Sequence, residues 1–87
     1  MGLSLELTFE EKCALLPADV NWGQPLTFEI LRDLWYACLI LQEEKGIVVT
    51  KRVRDTGQNF RIAEGETVTP QLVESIWKRS LEVTKNG

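Results

Sequence analysis

Apolar and polar residues alternate at the start of the chain: Leu3, Leu5, Leu7 and Phe9 are separated by Ser4, Glu6 and Thr8. A period of two is the mark of a half-buried strand, which is predicted here over residues 3–8. Thr8, followed three residues later by Glu11, has the spacing of a capping box. A short helix from Phe9 to Leu16 is therefore predicted, with Phe9, Cys13 and Leu16 on one face and Pro17 as its stop. Residues 17–26, PADVNWGQPL, carry the turn formers Asp19, Asn21, Gly23 and Pro25 and read as a loop. Trp22 lies within that loop. It reads either as a lid over the core or as a partner anchor, since Trp is enriched at interface hot spots.

The strongest helical period follows, from Thr27 to Lys45. At about 100° per residue, Phe28, Ile30, Leu31, Leu34, Trp35, Ala37, Cys38, Leu39 and Leu41 fall on one arc of about 200°. An arc that wide needs cover from more than one side, so the rest of the chain is expected to wrap this helix. Thr27 is its predicted cap, Glu29 suits the positive end of the helix dipole, Lys45 suits the negative end, and Gly46 provides a left-handed stop. The opposite arc holds Glu29, Arg32, Asp33, Tyr36, Ile40, Glu43 and Glu44. Tyr36 and Ile40 are out of place there. They are expected to lie under the N-terminal strand or the Trp22 loop, or else to form an exposed apolar spot rimmed by acids.

The run IVVTKRVR at 47–54 is rich in β-branched residues and predicts a strand. Asp55-Thr56-Gly57-Gln58 reads as a turn, and Asn59 to Ala63 as the returning strand of a hairpin, with Phe60 and Ile62 on one face. A second tight turn is predicted at Glu64-Gly65. Thr67 and Val68 form either a short third strand or an extended lead-in. Thr69 and Pro70 have the pattern of N-cap and first helical residue. In the helix that follows, Leu72, Val73, Ile76, Trp77, Leu81 and Val83 share a face, with Glu74, Lys78 and Glu82 opposite. Residues 85–87 are expected to fray. The predicted fold is one small α+β domain over residues 1–87, in the order β-α-α-β-β-α, with a short antiparallel sheet packed on the long central helix.

Composition is that of an ordered domain: 87 residues, 44% hydrophobic and 26% charged. The apolar run from Leu34 to Leu41 is too short to span a membrane, and the N-terminus lacks the basic segment of a signal peptide. Cys13 and Cys38 sit in apolar helical patterns and read as reduced core thiols, which points to a reducing, cytoplasmic setting. Charge is unevenly spread. Residues 1–44 hold eight acids and two bases, and residues 45–87 hold five acids and eight bases.

Chemistry is sparse. The chain has no His, the commonest general acid/base and metal ligand. Gly57 and Gly65 are isolated turn glycines rather than a phosphate loop. Asp55, Glu64 and Glu66 lack the spacing of a calcium loop. Lys12 beside Cys13 is not enough for a catalytic thiol. The expectation is a protein that is not an enzyme and uses no metal or cofactor. The basic residues of the predicted hairpin, Arg52, Arg54 and Arg61, with Trp22, Tyr36 and Ile40 on the acidic side, form the candidate partner-binding set. The expected function is a small interaction or regulatory protein that docks a protein partner through the basic hairpin and acidic helical face. A second copy of the chain is another partner that this charge separation admits. The alternative is a winged-helix-like nucleic-acid binder using the hairpin. Groove reading by the long helix is disfavoured, since its outer arc has four acids and one base.

Overall fold

The computed structural model describes residues 6–55 and 61–86. Its elements are α1 (Phe9–Leu15), α2 (Phe28–Glu44), α3 (Lys51–Asp55) and α4 (Pro70–Asn86). Among the described residues 61% are helical and 3% are in strand, with no sheet, so the fold is helical. The expected α+β architecture is thus corrected. The alternation at residues 3–8 does not yield a strand over its described part, residues 6–8, and residues 3–5 lie outside the described set. The hairpin fails as well. Its predicted turn and the start of its return strand fall largely on residues 56–60, outside the described set, while residues 61–63 are not a strand.

In the run at 47–54, residues 47–50 are neither helix nor strand, and the chain then turns into α3. The Thr50 hydroxyl accepts a hydrogen bond from Val53 N–H at 3.3 Å, and the Thr50 carbonyl accepts one from Arg54 N–H at 3.2 Å. Thr50 is thus a helix cap inside a β-rich segment. Val49 and Val53 are buried and four residues apart, a spacing that a strand and a helical turn share. β-propensity expresses packing on a sheet more than an intrinsic backbone preference. Without a sheet to join, the capped turn satisfies the backbone instead.

The helix ends follow their local chemistry. Thr8 and Glu11 form both bonds of the capping box, at 3.0 and 3.1 Å. Thr27 caps α2 through Ile30 N–H at 3.2 Å, and Thr69 caps α4 through Leu72 N–H at 3.1 Å. Gly46 follows α2 at φ 86°, a left-handed conformation that favours glycine. The segments leading into α2 and α4 are tied together. Gly23 N–H donates to Val68 O at 2.7 Å, Val68 N–H to Gln24 O at 2.9 Å, and Leu26 N–H to Glu66 O at 3.0 Å. Thr67 is therefore part of an extended lead-in with a single antiparallel bridge to Pro25.

The core lies chiefly between α2 and α4. Leu34, Trp35, Cys38 and Leu39 of α2 are buried with Val73, Ile76 and Trp77 of α4. Leu31, Leu72 and Ile76 also line one cleft between the two helices, and Gln42 meets Ser80 further along. α1 packs on both helices. Lys45 bridges Glu11 at 2.8 Å, which places α1 beside the end of α2, and Lys12 bridges Glu74 at 3.4 Å, which ties α1 to the second turn of α4. Phe28, expected in the core, is 67% exposed. It is the first residue of α2 and borders a shallow cleft with Ile62 and Thr67 rather than facing α4.

Two polar residues are fully buried in this seam. Gln42 Nε2 donates to Ser80 Oγ at 2.9 Å, and Ser80 Oγ donates to the Trp77 carbonyl at 2.7 Å. Removing one partner of a buried pair strands the other, whereas removing both can be nearly neutral. Ser80→Ala is expected to cost about 1–3 kcal/mol in urea unfolding, and a Gln42→Met/Ser80→Ala double variant to recover most of it. If the two effects simply add, the pair is not coupled.

Cys13 and Cys38 are both free thiols, Cys13 exposed and Cys38 buried. Burial pushes the Cys38 thiol up to about 12, with a hydrogen bond to Ser80 opposing the shift. A group whose pKa is raised by folding contributes stability that is complete below its unfolded value, here 9.0, and is lost as pH rises through the folded one. Stability should therefore decline from about pH 9 toward 12, and the slope should be shallower in Cys38→Ala. In the folded protein a thiol reagent should label Cys13 promptly and Cys38 only on unfolding. Equal labelling rates would contradict the burial.

Candidate functional site: the outer face of α2

The polar arc of α2 faces solvent as its phase requires. Glu29, Arg32, Asp33, Tyr36, Ile40, Glu43 and Glu44 are all exposed. Tyr36 is 45% exposed and Ile40 57%, so neither the Trp22 loop nor residues 6–8 covers them. They are four apart and adjacent on the helix surface. Trp22 is half-buried against the core, with its ring 6.0 Å from that of Phe9.

Beside this spot, α1 and α2 leave a groove of about 420 Å³. Its apolar lining is Ala14 and Leu15 from α1 and Ala37, Ile40 and Leu41 from α2. Glu11 and Glu44 line it too. Ile40 belongs both to the exposed spot and to the groove, which makes them one continuous surface. Two of its lining residues, Ala14 and Ala37, present only methyl groups.

The charges around this surface are partly paired. Arg32 lies 3.9 Å from Asp33, and Arg54 is ion-paired to Glu43. Among the described residues, Glu10, Glu29 and Glu44 have no ion pair, so the surface keeps an acidic bias. The Lys45 ammonium, first, and the Thr8 backbone N–H hold the Glu11 carboxyl below its ordinary range.

The basic residues do not form the surface expected of them. Arg52 and Arg54 lie on α3, not on a strand, and Arg54 reaches back to the edge of the acidic arc through Glu43. Arg61 is exposed at a different place, on a cleft with Leu26, Leu72 and Arg79. The six candidate residues therefore divide into Tyr36 and Ile40 on α2, Arg52 and Arg54 on α3, and Trp22 and Arg61 at separate positions. Sequence reasoning missed Ala14, Ala37 and Leu41 as a groove. Helical phase already put Ala37 next to Ile40, but pairing it with Ala14 needed the docking of α1. No group of three or more His, Cys, Asp or Glu residues able to hold a metal occurs among the described residues.

Glu11 links α1 to this surface, and its charge matters for that link. A carboxyl whose pKa is lowered by folding contributes stability present above its unfolded value, here 4.5, and lost as pH falls through the folded one. The melting temperature should drop as pH falls below about 4.5, and less steeply in Glu11→Gln. Parallel pH profiles of melting temperature for the two proteins would exclude Glu11 as a contributor.

A scan against protein-family models finds no match to this chain, and comparisons with curated proteins and with solved structures find none either.

Proposed function

We propose that this chain is a small, non-enzymatic protein-binding module with a regulatory or adaptor role. Its docking surface is the outer face of α2, centred on Tyr36 and Ile40. The observation that carries this reading is the exposure of those two large side chains in the middle of an otherwise charged arc. Their packing adds little to the core, since the buried face of α2 already meets α4. An amphipathic aromatic beside an aliphatic residue, with polar groups around them, has the composition of an interface centre and rim. The acidic bias would speed encounter with a partner of opposite charge and select against acidic ones.

The basic residues have a different role in this reading from that of a nucleic-acid ribbon. Arg54 is committed to Glu43 and borders the surface, so it limits the partner's approach on that side. No helix among the described residues is long and apolar enough to cross a membrane. Two free thiols and an ordinary charged surface fit work in the cytoplasm.

The test compares wild type with Tyr36→Ala/Ile40→Ser. Both sites are exposed, so the double variant should keep its melting temperature within a few degrees. Immobilised wild type should retain specific proteins from an extract of its native host, and the variant should lose them. Arg61→Ala, away from the surface, should retain them. An identical set of captured proteins on wild type and on the α2 variant would remove this face from consideration.

A further inference from the structure

The groove between α1 and α2 carries a narrower statement about what binds, one that rests on the protein-binding reading above. Three observations meet there. First, its lining is small and apolar: the exposed Ala14 and half-buried Ala37, with the buried Leu15 and half-buried Leu41. Second, one wall is Ile40, more than half exposed, so the apolar surface continues out of the groove onto the face of α2. Third, acids line the groove or lie one helical turn from its lining residues: Glu44 and Glu11 line it, Glu11 being ion-paired to Lys45, while Asp33 and Glu10 lie a turn before Ala37 and Ala14. On α2, Asp33, Ala37, Ile40 and Glu44 follow the i, i+4, i+7, i+11 spacing of one helical row. On α1, Glu10 precedes Ala14 by one turn.

We propose that this groove receives one amphipathic, basic helix of a partner protein. Its apolar side chains would enter between Ala14 and Ala37, and its Lys or Arg residues would lie against Asp33, Glu44 and Glu10. The case for this occupant is charge complementarity together with shape. Helix-in-groove recognition uses apolar anchors spaced i, i+3 or i+4 and i+7, which match a slot bounded by two helices. Two methyl-sized residues in the lining let a third helix approach closely. A helix with an acidic polar face would set like charges opposite each other along the same row, which opposes binding. An acidic patch with small residues could arise without any partner. What separates this groove is the exposed Ile40 on its wall, adjoining Tyr36, and carboxylates with no ion pair among the described residues at Glu10 and Glu44.

The test uses two designed helical peptides of equal length with Leu at the anchor positions, one with Lys and one with Glu at all polar positions. Binding to the intact protein is followed by calorimetry or peptide fluorescence at moderate salt. Three proteins are compared: wild type, Ala14→Trp, and Glu10→Lys/Glu44→Lys. Ala14 is exposed, so the bulky side chain fills the groove from outside, and melting temperatures verify that all three fold. The Lys peptide should bind wild type at least about tenfold more tightly than the Glu peptide. Ala14→Trp should weaken it by about tenfold, the size of effect expected when an anchor pocket is blocked. The charge-reversed variant should weaken the Lys peptide and lessen its salt dependence. Equal binding of both peptides, no binding of either, or unchanged binding to Ala14→Trp would overturn the proposal. Concentration-dependent self-association abolished by Ala14→Trp would also overturn it, in favour of a second copy as the occupant. Loss of the peptide result alongside partner capture that still depends on Tyr36 and Ile40 would sink this inference alone and leave the broader protein-binding reading standing.

Discussion

Contact between α2 and α4 is the constraint on which the rest of this structure depends. Trp35 and Trp77, one on each helix, are nearly or wholly buried, and truncating a buried Trp costs about 3–5 kcal/mol, a large share of the stability of a domain this small. The paired lead-ins at Gly23–Leu26 and Glu66–Val68 start the two helices side by side. The Gln42–Ser80 bond ties them again further along. Losing that contact would leave the buried Gln42 amide without its Ser80 partner, while Ser80 keeps its bond to the Trp77 carbonyl within α4. With α2 held by α4 on its apolar side, α1 covers a second side, and a single acidic face is left for solvent.

The surface chemistry follows from that division. Ion pairs such as Lys45–Glu11 and Lys12–Glu74 are partly exposed and individually weak, but they join α1 to both α2 and α4. Arg54 on Glu43 brings the basic α3 to the margin of the acidic face. Acidic and basic regions thus adjoin, where the chain's charge asymmetry had implied opposite sides. A partner meeting the α2 face would encounter an apolar centre, acids along one border and a guanidinium at another.

Helix ends and helix phase were legible in the chain. The capping box at Thr8, the caps Thr27 and Thr69, the Gly46 stop, and the exposed arc with Tyr36 and Ile40 all follow from rules acting within four or five residues. Gln42 and Ser80 were legible in principle. Gln42 lies between Leu31 and Trp35 in helical phase, and Ser80 lies four residues from Ile76 and three from Trp77. Polar identity disguised them as surface positions. The strands were misread because alternation and β-branching report a preference for a pleated, half-buried surface, which needs a sheet to satisfy it. At Thr50 a competing cap took the chain into α3 instead.

By itself, then, the sequence determined the main helices, their caps, the buried stripe of α2 and the polarity of its outer face. These are local matters of backbone hydrogen bonding and of the 3.6-residue period. Tertiary structure decided what no local rule contains: that α2 and α4 pack on each other, that two buried polar groups find each other 38 residues apart, and that α1 docks beside α2 so that Ala14 and Ala37 line one groove with Ile40. Each of these depends on which distant surface a residue meets, and that is settled only when the apolar faces of several helices are satisfied together.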